Sequence, residues 1–139
     1  MPENGMGSVA KSTFALIISG DNMQPEEVTR LLELQPTRII RKGDLINRLP
    51  EIHAPADEWM YRIELHNAQG TDVDLDHLLD QLTEKRAELL RLMCYQITPV
   101  LHVQSDKAQM SYHLMPETLR RLADLGIPLE ISSLSWGEI

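Results

Sequence analysis

Cysteine is nearly absent. Cys94 is the only one in 139 residues, which excludes a disulfide within the chain and a cysteine-based metal cage. A lone thiol fits a reducing compartment, the cytoplasm by default. Long apolar runs are also missing. The run F-A-L-I-I after the polar segment M-P-E-N-G-M-G-S-V-A-K-S is too short for a signal-peptide core or a membrane span, so the chain reads as neither secreted nor membrane-embedded. Positive charge is in deficit, with 13 Lys and Arg against 21 Asp and Glu and a formal charge of -8. A duplex or an anionic membrane would meet net repulsion, so neither nucleic acid nor membrane is an expected partner.

Catalytic signatures are missing as well. No G-x-S-x-G, H-E-x-x-H or C-x-x-C occurs, and no hydroxyl or thiol nucleophile is marked by its neighbours. Enzyme hypotheses therefore lack a starting residue, and no cofactor or metal is expected. G-M-G-S-V-A-K-S, residues 5 to 12, misses a phosphate-binding loop at Ala10, and a strand follows it where a helix is required. D-V-D-L-D, residues 72 to 76, imitates the start of a calcium loop but lacks its glycine and has Thr83 where the bidentate Glu belongs. It reads as a helix start.

What is present is a chain with 42% apolar residues, enough for one core. Residues 1 to 11 lack apolar periodicity and read as a mobile tail, leaving residues 12 to 139 as a single α+β domain. T-F-A-L-I-I-S ending at Gly20-Asp21 reads as a buried strand, and Pro25 with Glu26 and Glu27 starts a helix to about Leu34. T-R-I-I-R-K is a second strand, and residues 44 to 58, with Pro50 and Pro55, read as an irregular loop. From Trp59 the chain alternates, with Trp59, Tyr61, Ile63 and Leu65 inward and Met60, Arg62, Glu64 and His66 outward. Residues 74 to 93 form the longest helix, with Cys94 near its end expected to be buried and inert. Residues 99 to 114 read as a hairpin turning at Asp106-Lys107, which pairs Val103 with Met110 and Leu101 with Tyr112. Pro116 opens a third helix, Gly126 closes it, and P-L-E-I-S-S-L-S-W supplies a last strand.

The segment M-Q-P-E-E-V-T-R-L-L-E-L, residues 23 to 34, returns as M-P-E-T-L-R-R-L-A-D-L, residues 115 to 125, with Leu31 matching Leu122. Either a β-α-β unit has been duplicated or a common helix start recurs. Both readings give three β-α-β units whose strands are polar on one face. The expected fold is a ferredoxin-like open-faced sandwich, with helices on one side of a mainly antiparallel sheet.

Two sets of residues stand out. Q-P-T-R-I-I-R-K-G-D, residues 35 to 44, together with Arg30 and Arg48, concentrates basic residues in an acidic chain. Arg38, Arg41, Lys42 and Gly43, with Trp59 as a stacking surface, form a candidate site for a carboxylate or phosphate. A solvated edge strand protected by positive charge has the same pattern. The second set is the polar sheet face, Arg62, Glu64, His66, His102, Gln104, Ser111 and His113, rich in donors and acceptors. Copies of such a face can meet across a two-fold axis, and if neutral histidines are desolvated there, protonation below about pH 6 weakens the contact. Three imidazoles on one face also suggest zinc, although exposed histidines on a wet face are ordinary.

The run S-G-D-N-M-Q-P-E-E-V-T-R-L-L-E-L-Q-P-T, then R-K-G-D, then D-E-W, then M-P-E-T-L-R-R-L-A-D-L-G-I, resembles an uncharacterised bacterial domain family of the DUF4279 kind. The resemblance covers nearly the whole chain after the tail and implies a small bacterial cytosolic protein without bringing an activity. Gln24 and Met115 stand where Ser or Asp is usual at a helix N-cap. The leading expectation is a non-enzymatic module that binds a protein, regulatory or toxin-neutralising in kind, or a second copy of itself as a homodimer. Its acidic charge suits a basic partner. The alternative is a small-anion sensor or enzyme at the basic corner.

Overall fold

The computed structural model describes residues 11–66, 72–107 and 112–138. Apart from Lys11, the expected tail lies outside them, as do the near-miss phosphate loop up to Ala10 and Ser111. The chain begins with β1 (Lys11–Gly20), a strand paired on both sides. Phe14, Leu16 and Ile18 point to one face and are at most 1% exposed. Thr13, Ala15 and Ile17 point to the other.

α1 (Pro25–Leu32) follows, with Pro25 at its start and no side-chain cap from Gln24. Its buried Val28, Leu31 and Leu32 cover the Phe14 face. β2 (Arg38–Ile40) is a short edge strand. The segment expected to be an irregular loop instead contains a separate two-stranded arm, β3 (Leu45–Arg48) and β4 (Glu51–His53). Its prolines fall at the tip and after its second strand, outside both strands, so they do not interrupt the pairing.

β5 (Asp57–Glu64) carries the announced alternation in Trp59, Tyr61 and Ile63, all in or against the core, and in exposed Arg62 and Glu64, whereas Met60, expected outward, is buried at 7% exposure. The long helix is two helices, α2 (Val73–Glu84) and α3 (Arg86–Arg91), broken at Lys85. Near the break the Thr83 hydroxyl donates to the Leu79 carbonyl at 2.9 Å, a contact that bends helices. Lys85 pairs with Glu33, and Arg86 donates to the Asp124 carbonyl, so the junction is tied to the ends of two other helices. Asp72 caps α2: its carboxylate accepts from Leu75 N at 2.9 Å and from His66 N at 2.8 Å, confirming a helix start rather than an ion loop.

Cys94 is exposed, contrary to the expectation of burial. α3 ends at Arg91, and Leu92 takes the inward position at 3% exposure, which turns Met93 and Cys94 outward. The expected hairpin over residues 99 to 114 is also corrected. β6 (Gln96–Lys107) is one continuous strand that runs through Asp106-Lys107, and Leu101 lies opposite Phe14 and Ile131 instead of Tyr112. A type I′ hairpin turn needs positive φ at both central residues, which Lys107 is poorly suited to adopt, so nothing forces a turn there. Its far edge is taken by β7 (Glu130–Glu138), which arrives after α4 (Pro116–Asp124) and pairs in parallel.

The five-stranded sheet runs β2-β5-β1-β6-β7, antiparallel at every pair except β6 with β7. Two crossovers interleave: β1 and β2 are parallel with β5 between them, and β5 and β6 are parallel with β1 between them. The two helices with the repeated sequence thus serve different crossovers, since α1 spans an intervening strand and α4 does not. All four helices contribute to a single core cluster with sheet residues of one face. α4 is clasped to α2 by Thr118, which donates to Asp76 at 2.7 Å, and by Arg121, which donates to Asp80 at 2.9 Å.

Leu31 and Leu122 hold equivalent buried positions, at 7% and 8% exposure. Replacing either with Ala is expected to reduce unfolding free energy by about 2–5 kcal/mol in urea titration. A loss below about 1 kcal/mol would show that the helix does not depend on that contact.

Candidate functional site

The basic corner is assembled by β2 and the turn that follows it, which closes at Gly43 with φ of 93°. That turn is already saturated. Arg41 N donates to the Asp44 carboxylate at 2.7 Å, Lys42 N to the Asp57 carboxylate at 2.9 Å, Gly43 N to the Ala54 carbonyl at 2.9 Å, and Asp44 N to the Arg41 carbonyl at 2.9 Å. The side chains are paired too: Arg38 with Glu58 at 3.2 Å, Arg41 with Glu26, and Lys42 with Asp21 at 3.4 Å. A backbone N–H and then Arg41 hold the Glu26 carboxyl below its ordinary value. Carboxylates of the chain therefore fill the positions an incoming anion would take. Trp59 is not with them. It is fully buried, stacked near Tyr61 with ring centroids 6.5 Å apart, and its indole N–H donates to the Thr29 hydroxyl at 3.0 Å. It has no free face for a ligand.

Of the second set, Arg62 and Glu64 on β5 and His102 and Gln104 on β6 share the face opposite the helices. His102 Nδ1 lies 3.1 Å from the Ser132 hydroxyl, and its Nε2 lies 2.9 Å from the Gln104 amide nitrogen. An amide nitrogen only donates, so Nε2 accepts and Nδ1 carries the proton that it offers to Ser132. The serine therefore faces a donor and is not activated as a nucleophile. His66 has left the face: its ring lies 3.8 Å from Asp74 at the start of α2. His113 is exposed beyond the end of β6. The three imidazoles do not converge, and among the described residues no group of three His, Cys, Asp or Glu is arranged for a metal.

The β3-β4 arm is the feature that sequence reasoning missed. Leu45, Ile46 and Ile52 are 43–48% exposed and Leu49, at the tip, is 91% exposed. Every residue of both strands is exposed. Its root is fastened by His53, whose Nδ1 meets the Gly43 carbonyl at 2.9 Å and whose Nε2 meets the Glu51 carboxylate at 2.7 Å. An imidazole can donate at both nitrogens only when protonated. Glu51, and after it the Gly43 carbonyl, raise the His53 pKa above its ordinary value.

The family model described as Domain of unknown function (DUF4279) matches residues 10–136. The chain belongs to this family. The DUF4279 match begins beside β1 and reaches into β7, so it covers every helix described above and the sheet up to residue 136. No curated protein and no solved structure matches the chain. Among the described residues, no helix is long and apolar enough to cross a membrane.

Two outcomes follow for this region. The raised His53 pKa means that its contribution is complete below the ordinary imidazole value near 6.5 and is lost as pH rises through the higher folded value. Amide exchange in Leu45–His53 should accelerate, beyond its intrinsic base dependence, as pH rises from about 6 to about 8, and His53→Gln should abolish that extra acceleration. Cys94, being exposed, should react with a thiol reagent in the native protein as fast as in the unfolded chain, and protection would return it to the interior.

Proposed function

We propose that this DUF4279 domain is a non-enzymatic protein-binding module, regulatory or toxin-neutralising in kind, acting in the bacterial cytoplasm. The observation that carries this reading is the arm. A two-stranded hairpin alone is marginal in water, and this one exposes Leu45, Ile46, Leu49 and Ile52 where a soluble monomer normally limits its apolar surface. A partner that covers those side chains would supply the packing the hairpin lacks. The exposed single thiol supports a reducing compartment, and the net charge of -8 supports a protein partner over nucleic acid or a membrane surface.

The scaffold that presents the arm is read as ferredoxin-like. Support comes from the order β2-β5-β1-β6 with its two interleaved crossovers, to which α4 and β7 add a third. The alternative of a small-anion sensor or enzyme at Arg38, Arg41, Lys42 and Gly43 has less support, because the acids of the chain occupy that corner.

The test is site-specific photo-crosslinking in the producing cell, with the reactive residue at Leu49, at Val100 on the open face, or at Glu84 as a control. Discrete protein adducts are expected from the arm or the face and none from Glu84. Absence of adducts at both Leu49 and Val100 would overturn the binding-module reading.

A further inference from the structure

The open sheet face is written in rows across β5, β1, β6 and β7. One row reads Arg62, Ala15, Val100, Glu130. Its two ends carry opposite charge, and its middle is apolar, with Val100 half-buried and Ala15 at 7% exposure lying low between its larger neighbours. Arg62 and Glu130 are both exposed, and neither side chain has an ionic partner among the described residues, whereas Arg38, Arg41 and Lys42 nearby are all paired. The next row reads Glu64, Thr13, His102, Ser132. No helix of the core cluster lies on this side.

Such a row is complementary to itself. A two-fold axis parallel to the strands, passing between β1 and β6, lays β5 of one sheet over β7 of the other and β1 over β6. Arg62 then faces Glu130 of the second copy, and Glu130 faces Arg62 of the second copy. Ala15 and Val100 meet reciprocally between those pairs. In the next row Glu64 faces a serine and Thr13 faces His102, and in the row below Ile17 faces Thr98. No like charges meet in any of these rows.

We infer that the open face binds a second copy of this chain through reciprocal Arg62–Glu130 pairs around the Ala15–Val100 centre. The inference rests on the protein-binding reading above and names the occupant. The isologous arrangement is what a two-fold requires, since each patch supplies both halves of the contact. Strand directions in the two sheets coincide under this axis, consistent with the small crossing angle at which twisted sheets stack. β2 has no strand opposite it and projects past β7 of the second copy, together with the arm rooted in it.

Sedimentation across a concentration series at physiological ionic strength tests it. The wild-type chain should show a concentration-dependent dimer. Arg62→Glu or Glu130→Arg, each of which sets like charges face to face at two places, should weaken the dimer at least about tenfold. The double variant carries the pairs reversed and should recover to within about threefold of wild type, the signature of direct coupling. Arg62→Gln and Glu130→Gln, with smaller expected losses, replace any reversal that lowers the unfolding midpoint. A monomer throughout, single variants that dimerise like wild type, or a double variant as weak as the singles would each overturn the inference. If the crosslinks join the arm or face to a different protein while the wild-type chain stays monomeric, the binding-module reading stands and the two-fold pairing falls.

Discussion

The register of β1 is the constraint on which everything else rests, because it is the strand paired with the partners of both split crossovers. Its alternation sends Phe14, Leu16 and Ile18 under the helices and Thr13, Ala15 and Ile17 to the open side. A slip of one residue against β5 or β6 would exchange the two sets, exposing three large side chains whose burial is worth about 1.5–3 kcal/mol each. With β1 fixed, Trp59 falls opposite Ile18 and reaches Thr29, which also donates back to the Pro25 carbonyl at 3.3 Å within α1. The position of the first helix over the sheet thus follows from a single indole hydrogen bond and the apolar face around it.

Much of this was legible because β5 shows an alternation locally and β1 is a short apolar run that reads as a buried strand. Tyr61 and Ile63 alternate with Arg62 and Glu64, and no partner strand is needed to see that those two charges face the wet side. Helix starts at Pro25 and Pro116 are likewise local. What could not be read depends on contacts between distant segments. The continuity of β6 through Asp106-Lys107 is set by parallel pairing with a strand that follows a whole helix later, and alternation around a polar pair looks the same in a hairpin and in one long strand. The arm was hidden for the opposite reason: its strands are short, solvated on both faces and joined by a proline-containing turn, so no hydrophobic period announces them. Cys94 was misplaced because the helical spacing was carried one turn past Arg91, where the chain had already left the helix.

The candidate anion site has less support for a related reason. Arg38, Arg41 and Lys42 are close in sequence, while the acids that answer them, Glu58, Glu26 and Asp21, come from three other segments. A cluster of one sign in sequence says little about local charge until the sheet brings its counter-ions. Exposed pairs of this kind contribute little to stability, so their consequence here is to neutralise the corner rather than to hold the fold together. The open face differs in that Arg62 and Glu130 have no counter-ion among the described residues. Of the residues expected there, Arg62, Glu64, His102 and Gln104 share the face inside β5 and β6, while His66 and His113 lie beyond the strand ends.

The two edges of the sheet bear on which contacts the chain can make with its copies. β2 is three residues long and begins with a charged side chain, a short edge of the kind that discourages pairing. β7 is nine residues long, and residues 131 to 137 contain no charge, with Ile131 and Leu134 exposed. Its protection lies at its ends. Two β7 strands overlapping fully in antiparallel register would place Glu130 opposite Glu138 at both ends, and like charges directly across a pair destabilise it. The net charge of -8 adds a repulsion that reaches about 8 Å at physiological ionic strength, further than the roughly 4.8 Å between paired strands. Glu130 therefore opposes association along the edge, while across the open face the same carboxylate stands in a row that ends in Arg62, which has no ionic partner among the described residues. One side chain thus penalises the contact that would extend the sheet without limit of specificity and favours the contact that closes on itself.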